Sequence, residues 1–167
     1  MKRWSEFEFI PESLEAIRLL TEHKFTVIVI TNQSIINRKM ATPDDLEFTH
    51  SMMKKSVKEG GGEITDIFFC PHKPEDGCSC RKPETGLILE AKKKYGIDVK
   101  NSAMVGDSAK DIECARRAGC RYAVLVRTGK YEQAVSYLEE KKIYPDHIAS
   151  DLFEAVEWII ARADKRQ

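Results

Sequence analysis

"SAMVGDSAKDIECARRAG", residues 102–119, decides how the chain folds. Its first part, "SAMVGD", reads as a short strand ending in a turn. Its second part, "AKDIECARRAG", reads as a helix closed by Gly119. Strands and helices continue to alternate on both sides. Downstream come a strand in "RYAVLVRTG" (121–129), a helix in "YEQAVSYLEEKK" (131–142), a short strand in "DHIAS" (146–150) and a helix in "DLFEAVEWIIARA" (151–163) with Asp151 near its cap. Upstream, "TGLILEAKKKYG" (85–96) is helical and ends at Gly96, and "EITDIFF" (63–69) is a strand. "TPDDLEFTHSMMKKSVKEG" (42–60) reads as a helix with Thr42 as N-cap and Pro43 at its first position, stopped by the glycines at 60 to 62. "FTVIVIT" (25–31) is a β-branched run suited to a strand buried on both faces. "PESLEAIRLLTEHK" (11–24) places Leu14, Ile17, Leu19 and Leu20 near helical spacing, with Pro11 suited to a first turn.

This alternation implies an α/β fold, a mainly parallel sheet with helices on both faces. No linker, repeat or low-complexity segment interrupts it, so residues 1–167 are expected to form a single domain. Ligands in such sheets bind beyond the carboxyl ends of the strands. The residues to inspect are therefore Thr31 and Asn32, the segment Cys70–Lys82, Asp107, and Arg127 with Thr128.

Composition narrows the function classes. Hydrophobic residues make up 42% and charged residues 32%, as in an ordinary soluble domain. The 27 basic residues balance the 27 acidic ones, so no general electrostatic pull on nucleic acid or anionic membrane exists. No apolar run reaches membrane-spanning length, and "MKRWSEFEFIP" lacks the apolar core of a signal peptide. A cytoplasmic, reducing compartment is the expectation, and the odd count of five cysteines argues against a closed disulfide framework.

"CPHKPEDGCSC" (70–80) carries Cys70, His72, Cys78 and Cys80 in the spacing C-x-H-x5-C-x-C. Thiolates and an imidazole suit tetrahedral zinc, and four protein ligands would close the site, making it structural. The alternative is a reduced, exposed cysteine loop with a coincidental histidine. Arg81 and Lys82 follow directly. They are candidate phosphate-binding cations, or else a solvated basic pair. Zinc would then serve chemistry indirectly, by fixing where these cations point. Asp107, just past a strand, is a candidate hard-oxygen ligand for magnesium, with Asp111 as its support. The alternative for these two is an N-cap and an acid at the positive helix end. Thr31 and Asn32 are candidates to hold phosphate oxygens, or else part of an ordinary turn.

The ordered combination of strand–Thr, loop Lys and strand–Gly–Asp–x3–Asp resembles the haloacid dehalogenase (HAD) superfamily of phosphohydrolases, with its Rossmann-like fold. "FEFIP", "TNQS", "CPHKPEDGCSCRKP" and "MVGDSAKDIECARRAG" are similar to the D,D-heptose 1,7-bisphosphate phosphatase branch, with histidinol-phosphate phosphatases as nearest relatives. The resemblance runs over roughly residues 4 to 160. It implies a zinc-loop insertion held by Cys70, His72, Cys78 and Cys80. It implies that Thr31 binds the transferring phosphoryl group with Asn32 beside it, that Lys82 neutralises that group, and that Arg81 binds substrate. It implies magnesium on Asp107 with support from Asp111. The expected partner is a small phosphorylated metabolite, such as D-glycero-D-manno-heptose 1,7-bisphosphate in lipopolysaccharide or S-layer glycan precursor synthesis; nucleic acid and membrane are not expected.

The family reaction starts from an Asp-x-Asp strand, whose first aspartate attacks phosphorus while the second moves protons. The first aspartate in this sequence is Asp44, inside the expected second helix. The central strand of the sheet, between "FTVIVIT" and "SAMVGD", is thus expected to be missing, and magnesium binding to be weakened. Truncation, a split or strand-borrowing protein, and a pseudo-phosphatase that binds a phosphorylated ligand or a partner are the three accounts of this gap. A homodimer or a strand-donating partner would cover an open sheet edge. Ile35, where the family usually has Gly, puts the substrate of the adjoining loop in question. Cys114 and Cys120 are expected to be buried small hydrophobes, Trp4 and Trp158 packing residues, and His23, His50 and His147 without a role.

Overall fold

Apolar runs of strand length and amphipathic segments of helix length give five strands and six α-helices in the computed structural model, which describes residues 4–34, 41–129 and 131–163. The expected Ile35 loop lies outside the described residues. The chain divides into two compact units, Met1–Arg81 and Lys82–Gln167.

In the first unit, α1 (Ser13–Glu22) begins two residues after Pro11, behind Glu12 in a left-handed conformation with φ 63°. Pro11 is therefore in the turn before the helix, not in its first turn. β1 (Ile28–Asn32) and β2 (Asp66–Cys70) pair in parallel, from Ile28 opposite Asp66 to Asn32 opposite Cys70. Both strands begin later than their apolar runs suggest. All five β1 residues are half-buried, so the strand is not covered on both faces as its composition implied. Among the described residues β2 is its one strand neighbour, in a two-stranded sheet. α2 (Pro43–Glu59) starts as expected. Asp45 N–H donates to Thr42 Oγ1 at 3.1 Å and Thr42 N–H donates to Asp45 Oδ2 at 3.0 Å, a reciprocal cap. Asp44 lies in the first turn of this helix. Thr49, buried on its inner face with Leu46 and Val57, satisfies its hydroxyl by donating to the Asp45 carbonyl at 2.8 Å.

In the second unit, α3 (Gly86–Tyr95) ends at Gly96, which takes the left-handed conformation that closes a helix. β3 (Ala103–Gly106), β4 (Tyr122–Val126) and β5 (His147–Ala149) form a parallel sheet in that order. α4 (Ala109–Ala118) and α5 (Tyr131–Lys141) make the crossovers, and α6 (Leu152–Ala163) packs along all three strands. Central β4 is the buried strand, with Ala123, Val124 and Leu125 fully covered. Ile112 and Ala115 of α4, Ala123 and Leu125 of β4, and Ala134 and Leu138 of α5 form one core. Burying a Leu or Ile side chain contributes about 1.5–3 kcal/mol, so this cluster is what seats α4 on the strand ends. β3, with β4 as its one neighbour in the sheet, keeps Ala103 exposed and the rest half-buried. No strand among the described residues joins the two sheets.

Candidate active site

The cysteine loop starts where β2 stops. Cys70 is the last residue of β2, buried, and directly opposite Asn32 in the ladder. Gln33 N–H prolongs the pairing by donating to the Cys70 carbonyl at 2.7 Å. A 3-10 turn at Pro74–Asp76 and a left-handed Gly77 then reverse the chain, helped by Lys73 N–H donating to Asp76 Oδ2 at 2.8 Å. This brings Cys78 and Cys80 back to Cys70 and His72.

The four side chains offer ligand atoms that all lie within 4.8 Å of one another. Cys70 Sγ is 3.5 Å from Cys78 Sγ and 3.1 Å from Cys80 Sγ, and His72 Nδ1 is 3.2 Å from Cys80 Sγ. Tetrahedral zinc with Zn–S near 2.3 Å separates its sulfurs by about 3.8 Å, so the donor set fits such an ion with slight expansion. The thiols are free rather than disulfide-bonded. Burial and shared hydrogen bonds with its neighbours push the Cys80 thiol up. Cys78 goes the other way: burial opposes it, but hydrogen bonds from Cys80, Cys70 and backbone N–H groups lower it. Ligation of a divalent cation by thiolates displaces any protons the thiols carry.

Arg81 is fastened to this loop, since its Nη1 donates to the His72 carbonyl at 2.9 Å. Its Nε is buried without a hydrogen-bond acceptor among the described residues, a donor available to a ligand oxygen. Within the same unit, Gln33 Nε2 donates to Thr31 Oγ1 at 3.3 Å. The Thr31 hydroxyl then has its own proton to give to an anion. The sequence reading did not single out Gln33; its position two residues past Thr31 in a strand-end turn is the signal that could have found it.

In the second unit, Lys82 Nζ lies 2.6 Å from Asp111 Oδ1, and the two side chains are only 13% and 6% exposed. Among the described residues Asp111 Oδ1 has the Lys82 ammonium as a counter-charge at contact distance. Asp111 Oδ2 accepts from Ser108 N–H at 3.1 Å and Ser108 Oγ at 2.7 Å. Ser108, not Asp107, is the cap of α4. Asp107 stays exposed at the mouth of β3. Gly106 makes this arrangement possible: a Cβ there would sit 2.3 Å from Asp111 Cβ. Past β4, Arg127 places its guanidinium over the Tyr131 ring, 5.1 Å from the centroid.

The other candidates are structural. Cys114 is buried, donates to the Glu84 carbonyl at 3.3 Å and has its thiol pushed up to about 12 by burial. Cys120 is only half-buried, against the α4–β4–α5 core. Trp4 stacks on Phe7, and Trp158 is sandwiched between His147 and Arg162. His50 meets the Phe69 ring edge-on, and burial lowers its pKa.

The HAD-hydrolase-like family model matches residues 79–155. The D-glycero-beta-D-manno-heptose-1,7-bisphosphate 7-phosphatase of Pseudomonas aeruginosa is 44% identical over 130 residues, covering 78% of this chain and 72% of that protein. The D-glycero-D-manno-heptose-1,7-bisphosphate 7-phosphatase of Thermosynechococcus vestitus is 33% identical, over 94% of this chain and 85% of that one. The crystal structure of D,D-heptose 1,7-bisphosphate phosphatase from B. bronchiseptica, complexed with magnesium and phosphate, superposes with a TM-score of 0.87 at 33% identity, covering 96% of this chain and 88% of that one. The chain belongs to the D-glycero-D-manno-heptose-1,7-bisphosphate 7-phosphatase family. No helix among the described residues is long and apolar enough to cross a membrane.

Proposed function

We propose that this chain is the body of a phosphomonoester hydrolase for a sugar bisphosphate, with D-glycero-D-manno-heptose 1,7-bisphosphate as the first substrate to try. The observation that carries this reading is the Lys82–Asp111 pair. A lysine this buried, aimed by one carboxylate oxygen, is poised to transfer its charge to an arriving phosphoryl oxygen. In the first unit, Thr31, with its proton freed by Gln33, and Asn32 beside it are the phosphate-binding candidates. Arg81, fastened to the cysteine loop, takes the substrate's other polar end through its buried Nε.

The Cys70, His72, Cys78 and Cys80 set holds structural zinc, whose part is to order the loop and hence Arg81. Asp107 holds magnesium at the mouth of β3, with Asp111 nearby; that ion supplies charge stabilisation to the transferring phosphoryl group. A reducing, cytoplasmic setting keeps the three thiols available as ligands. The Asp-x-Asp pair of the family is not in this sequence, whose first aspartate is Asp44 in α2. An Asp-x-Asp strand added to these residues would supply the nucleophile. Once supplied, its carboxylate oxygen bonds to phosphorus as the phosphorus–oxygen bond to the sugar breaks, and the second aspartate protonates the leaving oxygen.

The second reading is a pseudo-phosphatase that binds phosphorylated ligands without turnover. Phosphate release from heptose bisphosphates and histidinol phosphate separates the readings, run with this chain and with a version carrying an added Asp-x-Asp strand. Release only by the extended version supports the phosphatase. Release by neither, with ligand still bound, supports the binding protein. Release by the chain alone overturns the assignment of the nucleophile to an added strand.

A further inference from the structure

We propose that Gly129 is a positioning residue for Asp107, a backbone wall that sets the direction of its carboxylate. The turn after β4 runs Arg127–Thr128–Gly129 and is fixed at its start, because Arg127 N–H donates to the Ala149 carbonyl of β5 at 3.0 Å. β3 and β4 are adjacent and parallel, so this turn and Asp107 leave the sheet side by side. A Cβ on Gly129 would lie 2.2 Å from Asp107 Oδ2 and 2.7 Å from both Asp107 Cβ and Cγ. Atoms do not approach that closely without displacement, so only a residue with no side chain leaves the carboxylate where it is.

The glycine is not there for its torsion angles. Gly77, Gly96 and Gly119 have positive φ and open space where a Cβ would stand. Gly129 is the reverse case, with φ outside the left-handed range and no room. Its φ is not in the range that favours glycine, whereas its contact with Asp107 leaves no room for a Cβ. Asp107 is otherwise exposed. A hard-cation site needs its oxygens within a few tenths of an ångström of the right place, and the Gly129 backbone removes the rotamers that point toward β4. The wall thus confers on an exposed aspartate the orientation that a buried one gets from its surroundings.

This rests on the reading of Asp107 as a magnesium ligand, and the test separates the two. The chain and its Gly129→Ala variant are crystallised metal-free and titrated with magnesium chloride alone, with Gly119→Ala as a variant strained in its backbone away from Asp107. The expected results are a displaced Asp107 carboxylate in Gly129→Ala and a magnesium affinity lower by roughly 10-fold or more, as for other supporting contacts of metal ligands. Gly119→Ala should lose stability and keep its affinity. An unmoved carboxylate, or equal affinity in Gly129→Ala, overturns the proposal. If the parent chain binds no magnesium, the reading of Asp107 fails, and the metal-free crystals alone decide the role of Gly129. Should Gly129→Ala not fold, Asp107→Gly in the same chain removes all three clashing atoms; recovery of folding supports the proposal and failure to recover overturns it.

Discussion

Lys82 and Asp111 meet at 2.6 Å in a nearly buried ion pair that holds Lys82 against the first turn of α4. One oxygen of Asp111 holds the lysine while the other completes the α4 cap through Ser108. A single carboxylate thereby joins helix initiation to the placement of Lys82, the proposed phosphate-binding cation.

Asp111→Ala should accordingly fail in two ways. Losing the cap costs about 1 kcal/mol, and leaving a buried ammonium unpaired costs about 3–5 kcal/mol. Ser108→Ala removes only the hydroxyl contribution and should cost about 1 kcal/mol. Urea unfolding of the two variants checks this, and equal losses would show that the Lys82 pair contributes nothing to stability.

Gly106→Ala places a methyl against Asp111 Cβ, an atom that cannot swing aside. Overpacking of this kind costs about 1–3 kcal/mol. The displaced carboxylate should also release Lys82, so inorganic phosphate binding should weaken more than in Gly119→Ala, which strains only a helix end. Phosphate titration of both variants makes the comparison.

Metal analysis of the purified chain should find about one zinc per molecule, as a closed four-ligand site requires. Cys78→Ser should lose the metal and lower the melting temperature. Chelation should also loosen Arg81, because its anchor is the His72 carbonyl inside the loop. A chain free of zinc, with an unchanged melting temperature on chelation, would refute the assignment.

The start of α6 should make the second unit acid-sensitive. Asp151 accepts from Glu154 N–H at 3.0 Å and from Ser150 Oγ at 2.9 Å, and both contacts hold its carboxyl below its usual value. Glu154 accepts from Ser150 N–H at 2.7 Å and is lowered as well. With both groups depressed, the unfolded chain binds more protons in acid, so this stabilisation is present above the ordinary values of 3.8 and 4.5 and disappears as pH falls through the lower folded ones. Asp151→Asn combined with Glu154→Gln should flatten the dependence of the urea midpoint on pH below about 4.5. An unchanged slope would remove the cap from the account of acid stability.

Much of this architecture was legible one segment at a time. Thr42 and Pro43 before an amphipathic run announce α2, Asp151 announces α6, and Gly96 and Gly119 close their helices, because each signal acts within about one helical turn. The spacing of Cys70, His72, Cys78 and Cys80 suffices to name a metal loop, since the ligands are close in sequence and the turn at Pro74–Asp76 folds them together. Strand limits were less legible. β1 starts at Ile28 rather than Phe25, because a strand is bounded by its partner, and the ladder begins where Asp66 does.

What the sequence by itself determined is thus the order and type of the elements, the helix caps, the candidate metal-ligand set and the candidate phosphate-binding residues. Tertiary structure alone decided that Asp111 answers Lys82, that Asn32 stands opposite Cys70, that Gly129 abuts Asp107, and that β1 is half-exposed. Each of these depends on strand register and on how a crossover helix returns to the sheet. Those are properties of distant segments meeting, and no local pattern of side chains encodes the distance at which they meet.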